Sequence, residues 1–274
     1  MAFYFHKIHF FSINFNGEIM QLKRGDLVTR PSYNNDTIFK ITNIKNEIYY
    51  LKGIEVRLFA DAPLSDLNPY NKEIVEEKIE IEELPLDRDE YFYLPGKILH
   101  IDGDKDYLEK CLDYYKKKGI YAVGKKITEE KISEYILPLL KEIKPDIVII
   151  TGHDAYYKKK GDINNLKNYR NTTNFIKAVN VARNYEKSHE KLVIIAGACQ
   201  SNYEELIKAG ANFASSPKRI NIHALDPAII ASALALTERN KQINLIELLD
   251  KTKYGPDGIG GIRCNGLKYV GYPR

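Results

Sequence analysis

From residue 91 onward the apolar positions follow two alternating rhythms. The runs "GKILHI", "IYAVG", "DIVIITG" and "KLVIIAG" are continuous and rich in β-branched residues. Between them, "DYLEKCLDYYKKKG", "EEKISEYILPLLKEI" and "NTTNFIKAVNVARNYE" repeat their apolar residues at helical spacing. Uninterrupted apolar strands are buried on both faces, so the pattern predicts an α/β domain over 91–274. Its core is an open, mostly parallel sheet with helices on both faces. "NYEELIKAG" extends the series as a helix and "ANFASS" as a short fifth strand, while the tail "GIGGIRCNGLKYVG" holds an Asn-Gly pair and predicts a terminal hairpin.

Earlier in the chain the rhythm is different. Residues 20–67 carry "DLVTR", "TIFKITNI", "EIYYLKG" and "VRLFAD", short β-rich runs bounded by Gly25, Pro31, Asn34-Asn35, Asn46 and Gly53. So many short strands in so few residues predict a small SH3-like β-barrel, a docking or stabilising module without chemistry of its own. Residues 68–90, "NPYNKEIVEEKIEIEELPLDRDE", are acidic, contain Pro69 and Pro85, and read as a linker. Residues 1–19 are aromatic-rich, but His6, Lys7 and His9 interrupt them and no small-residue cleavage site follows, so they make a poor signal peptide. They read as an extension from a mis-assigned start. Gly17-Glu18 can be encoded GGA-GAA, a ribosome-binding sequence just before the Met20 codon, so translation is expected to begin at Met20.

Composition narrows the classes. Across 274 residues the net charge is only +4, well short of a dedicated nucleic-acid binder. No run approaches the ~18 apolar residues of a membrane helix. The Cys count of 3 is odd and low, which fits free thiols in a reducing, cytoplasmic compartment. No nucleic-acid partner and no membrane insertion are expected.

In open α/β sheets ligands bind beyond the carboxyl ends of the strands. The first strand is followed by "HIDGD" with His100, Asp102 and Asp104, the third by "TGHD" with Gly152, His153 and Asp154, and the fourth by "GACQS" with Gly197 and Cys199. His153 and Cys199 end consecutive strands joined by one helix. If those strands are neighbours, ~4.8 Å apart, a proton can pass between the side chains. A nearby base and the following helix N-terminus would favour the thiolate of Cys199, and Gly197 and Ala198 leave room for a substrate backbone. Cys111, on the apolar side of a helix, reads as core, and Cys264 as structural. Two rivals compete with this pair. One is a metal-dependent phosphohydrolase using Asp102, Asp104 and His153, although neither standard Gly-rich phosphate loop is present. The other is a non-catalytic scaffold in which Cys199 is merely buried.

The segments "LPGKILHIDGDKDYLEKCLDYYKK", "KPDIVIITGHDAYYKKKGDINNL" and "IIAGACQSNYEELIKAGANFASSPKRINIHALDP" strongly resemble the YabG family of sporulation-specific proteases, and "MQLKRGDLVTRPSYNNDTIFKI" resembles that family's N-terminus. The resemblance runs through the chain from Met20 onward. It implies a cysteine endopeptidase that cleaves spore-coat and related proteins after arginine, without cofactor or metal. The setting it implies is the mother-cell cytoplasm or the spore coat of a sporulating bacterium. It places the nucleophile at Cys199 and the catalytic histidine at His153. The arrangement also looks like the caspase–clostripain group, except that Gly152 precedes His153 here where caspases carry a glycine after it. Cys199 would attack the scissile carbonyl, His153 would protonate the leaving amine, and the N–H of Cys199 with another from the His153 loop would hold the oxyanion. An arginine at P1 needs a carboxylate beside Cys199. Asp102 or Asp104 is expected to supply it, then Asp226 in "HALDP", with Asp154 serving either the pocket or the catalytic loop. Gly152 is counted with Gly197 among the substrate-binding residues.

Overall fold

The computed structural model describes residues 22–71 and 92–271, with the backbone of Ser12–Ile13 and Ile19–Met20, which pair as a two-residue antiparallel ladder. The acidic linker from residue 72 onward lies outside the described residues, as does most of 1–19. The chain divides into two compact units, Met1–Glu55 with Phe59–Glu76, and Val56–Leu58 with Glu77–Arg274. No helix among the described residues is long and apolar enough to cross a membrane.

The first unit is built on a five-stranded antiparallel sheet in the order Phe59–Pro63, Ile48–Gly53, Phe39–Lys45, Leu27–Thr29, Asn68–Pro69. Alternating side chains, among them Val28, Phe39, Ile41 and Leu51, form its buried face. Asn46 and Glu47, both at positive φ, make the two-residue turn between the longest strands. Among the described residues the two end strands share no ladder. "VRLFAD" does not form one strand as the sequence suggests. The strand begins at Phe59, and Val56–Leu58 belongs to the other unit. There Val56 makes an antiparallel bridge to His223.

The second unit alternates β1 (Ile98–Asp102), α1 (Lys105–Lys117), β2 (Ala122–Lys126), α2 (Ile132–Ile143), β3 (Ile147–Thr151), α3 (Thr172–Tyr185), β4 (Val193–Ala196), α4 (Tyr203–Lys208) and β5 (Phe213–Ser215). The helices α5 (Asp226–Leu236) and α6 (Leu245–Asp250) follow, then β6 (Ile259–Gly261). The sheet order is β2-β1-β3-β4-β5-β6, parallel except for β6. Burial on both faces explains the continuous apolar runs. Ile98, Ile147, Ile149, Val193 and Ile195 pack with Cys111 and Tyr115 of α1 and with Ala228, Ile230 and Leu234 of α5. Their alternates Leu99, Ile101, Val148, Ile150 and Ile194 pack with Ile136 of α2 and with Phe175 and Val179 of α3.

The expected terminal hairpin does not form. Ile259–Gly261 pairs with β5, and Tyr269–Gly271 pairs instead with Phe92–Leu94. The chain between them is claimed by other partners. Asn265 bridges to Gln242, Lys268 bridges to Glu238, and a Cβ on Gly266 would overlap the Thr237 carbonyl. Here the Asn-Gly glycine serves close backbone approach rather than a tight turn.

Candidate active site

Strand adjacency brings the chemistry to one edge. β3 and β4 are hydrogen-bonded neighbours with Ile150 opposite Ala196, so His153 and Cys199 each lie three residues past a paired position. On the other side of β3, Thr151 is opposite Asp102, the last residue of β1. Two residues on, Asp104 caps α1, its carboxylate accepting the N–H groups of Asp106 and Tyr107.

That same carboxylate reaches His153. Nε2 of the imidazole lies 3.0 Å from Asp104 Oδ2, and Nδ1 lies 3.3 Å from the carbonyl of Arg57. The Tyr107 ring packs 5.7 Å away, centroid to centroid. An imidazole between two acceptors donates to both when charged and to one when neutral. Glu129, ahead of α2, fixes the backbone here. Its buried carboxylate accepts the His153 N–H at 2.7 Å, and a Cβ on either Gly103 or Gly152 would run into it. The Gly152 space is therefore filled by Glu129. Gly197, at φ +101°, similarly abuts Leu206, Ser215 and Ser201.

Cys199 is 0% exposed. The N–H of Ile222 points at its Sγ from 3.3 Å. Burial pushes the thiol up to about 12, against the opposing pull of the Ile222 N–H and of both the charge and the backbone of Arg57. Its loop is tied to the His153 loop through Asp154. One Asp154 oxygen accepts from the Ala155 and Asn171 N–H groups, the other from Thr172 and Ser201, and Ser201 Oγ accepts the Ala198 N–H. Burial raises the Asp154 carboxyl despite these bonds. With both oxygens engaged, Asp154 braces the loops.

Arg57 lies across the centre of this edge. Its guanidinium donates to Asp102 Oδ2 at 2.5 Å and to the Ala224 carbonyl at 2.9 Å, meets Cys111 Sγ at 3.6 Å, and stacks 5.0 Å from the Tyr107 ring centroid. Burial is the largest influence on the Asp102 carboxyl and raises it, but the Arg57 charge, His100 and the Asp104 N–H together outweigh burial and hold the carboxyl below its usual range. His100, on the Tyr115 hydroxyl at 2.9 Å and 3.6 Å from Asp102, is kept low by its burial. Asp226 feels the Arg57 charge but accepts the His223 and Lys253 N–H groups at the start of α5, and burial raises it to about 6. Among the described residues, no cluster of three or more His, Cys, Asp and Glu is placed to hold a metal ion.

Sequence reasoning singled out the carboxyl edge of the sheet but missed two residues that lie there. Arg57 sits inside a run that reads as a strand of the other unit, and no local pattern marks it. Glu129 looks like an ordinary acid at a helix start. The one available signal was that Gly103 and Gly152 follow two different strands, two glycines that together could have suggested a shared intruding side chain.

An open α/β sheet with an acid-held imidazole and a thiol at the ends of adjacent strands has the layout of a hydrolytic enzyme. The chain belongs to the YabG peptidase family, U57, whose profile matches residues 23–84 and 76–273. It is 42% identical over 286 residues to the sporulation-specific protease YabG of Bacillus subtilis (strain 168), an alignment covering 93% of this chain and 99% of that protein. The chain is thus a peptidase, and the matched span takes in parts of both units.

Proposed function

We propose that the chain is a thiol endopeptidase of sporulation in which Cys199 is the nucleophile, His153 the acid and base, Asp104 the group that orients His153, and Asp102 the carboxylate that receives a P1 arginine. The observation that carries this reading is the imidazole itself. Asp104 holds Nε2, so Nδ1 is turned toward the peptide that lies against Cys199. A carboxylate on the far nitrogen sets the tautomer and stabilises the imidazolium, as in other nucleophile–histidine–acid sites.

In the reaction, His153 takes the thiol proton and Sγ attacks the scissile carbonyl carbon. The C–N bond then breaks as His153 returns that proton to the leaving amine. Water, losing a proton to His153, attacks the thioester; the carboxylic product leaves and the thiol is regenerated. The N–H of His153 is committed to Glu129, so the Cys199 N–H is the better oxyanion donor. Asp102 closes a buried pocket beside this site with the Ala224 carbonyl and the Tyr107 face, a setting that suits a planar cation. Asp226, with its oxygens on backbone N–H groups, serves the fold rather than the pocket.

The finer fold is a caspase-like sheet over 91–274, a small SH3-like barrel over 20–67 and an acidic linker over 68–90. The substrates are spore-coat and related proteins, met in the mother cell or at the coat. Cys199→Ala, a substitution that fits the same space, should leave the melting temperature within a few degrees and abolish cleavage of an arginine-site peptide. Peptidase activity persisting in that purified variant would remove Cys199 from the mechanism.

A further inference from the structure

We infer that Val56–Leu58 is an internal inhibitor, the chain's own Arg57 filling the P1 pocket so that substrate enters only when this segment withdraws. The inference rests on the proposed thiol-peptidase reading and adds to it a control on the same site.

Three features support it. The side chain is held as a bound substrate arginine would be. Its guanidinium is 0% exposed and divided among a carboxylate, a carbonyl, a sulfur and an aromatic face. As a device for stability alone such a pair has little advantage, since apolar replacements of buried ion pairs do as well or better.

The main chain also lies as a docked strand. Val56 bridges antiparallel to His223, the Arg57 N–H points to the Ile222 carbonyl at 3.4 Å, and the Tyr107 hydroxyl donates to the Val56 carbonyl at 2.8 Å. Extended peptides are recognised in this way, backbone bonds giving affinity and a pocket giving selectivity. The segment is foreign to its sequence neighbours, since the residues on both sides belong to the other unit.

Finally, the catalytic groups are occupied rather than poised. The Arg57 carbonyl rests against His153 Nδ1, while the Ile222 N–H is directed at a fully buried Cys199 Sγ. A ligand on the same chain acts at an effective concentration of order millimolar, enough to outcompete dilute substrates. Withdrawal would free Asp102, His153 and Cys199 together.

The test uses full-length protein. In a Cys199→Ala background, which separates binding from turnover, the peptide acetyl-Glu-Val-Arg-amide is titrated against chains with Arg57 and with Arg57→Gln. The Arg57→Gln chain should bind at least about 10-fold more tightly, following the larger fraction of open sites. The same peptide should raise its melting temperature and leave that of the Arg57 chain nearly unchanged. With Cys199 present, iodoacetamide should label Arg57→Gln at least about 10-fold faster than wild type. Arg57→Lys keeps a cation for Asp102 and guards against a misfolded Gln variant. It should fall between the two. Equal affinities, or equal labelling of wild type and Arg57→Lys, would overturn the inhibitor. The binding arm needs no catalysis, so this failure is distinct from that of the thiol mechanism, which Cys199→Ala activity alone decides.

Discussion

Asp104 performs two tasks with one carboxylate: Oδ1 caps α1 and Oδ2 faces His153. Asparagine at this position keeps an oxygen for the cap and turns an amide toward the ring. Asp104→Asn should therefore cost less than about 1 kcal/mol in stability. It should lower kcat by on the order of 10²–10⁴-fold, because the imidazole loses its orienting charge. Thermal melts and a pH–rate profile on an arginine-site peptide would separate the effects, a structural role alone leaving the profile's shape unchanged. At this scale the site was half legible. The proposed pair Cys199 and His153 could be singled out because strand ends in an open sheet are where ligands bind and the apolar runs locate those ends. Asp102 and Asp104 could be found as a pair but not told apart. Their different surroundings follow from the turn between them, which leaves Asp102 in the core with Arg57 and lifts Asp104 to the helix start. Arg57 could not be read at all, because nothing local records a contact with a strand 45 residues later.

Between elements, Glu129 acts as a wedge. It enters from the start of α2, reaches the loops after β1 and β3 where Gly103 and Gly152 make way, and takes up the His153 N–H. Glu129→Ala would leave that buried N–H without a partner and open space below the His153 loop. The expected loss is about 1–3 kcal/mol in urea unfolding, with a fall in kcat larger than any change in KM. Gly152→Ala should do similar damage from the opposite side, since its methyl group and the carboxylate claim one volume. The elements themselves were the most legible feature. Two-sided burial makes the parallel strands conspicuous, and α1 to α3 carry their stripes plainly. Pairing was less so. The Asn-Gly tail and "VRLFAD" have sound local signals for a hairpin and a strand, and both lose to distant backbone partners that periodicity does not encode.

For the molecule as a whole, acidity should act through the buried carboxyls. An unfolded aspartate titrates near 4, whereas Asp226 in the fold titrates at about 6. The folded chain holds this proton more firmly, so the contribution of Asp226 favours folding below about pH 4 and is lost as pH rises through about 6. Asp154, also raised by burial, works in the same direction. Two pK units bound the Asp226 effect at about 3 kcal/mol. The stability of wild type minus that of Asp226→Asn should accordingly fall by about 1–3 kcal/mol between pH 4 and pH 7 in denaturant titrations. A difference that stays flat would show that Asp226 is not the titrating group. The position of Arg57 along the chain has a last consequence, which concerns time. A ribosome delivers residues in order, and Val56–Leu58 leaves it before any strand of the large sheet has been made, with Cys199 among the later parts to arrive. The arginine is therefore already waiting when β1, β3 and β4 first come together, and on the inhibitor reading proposed above a newly made peptidase would be born with its mouth full.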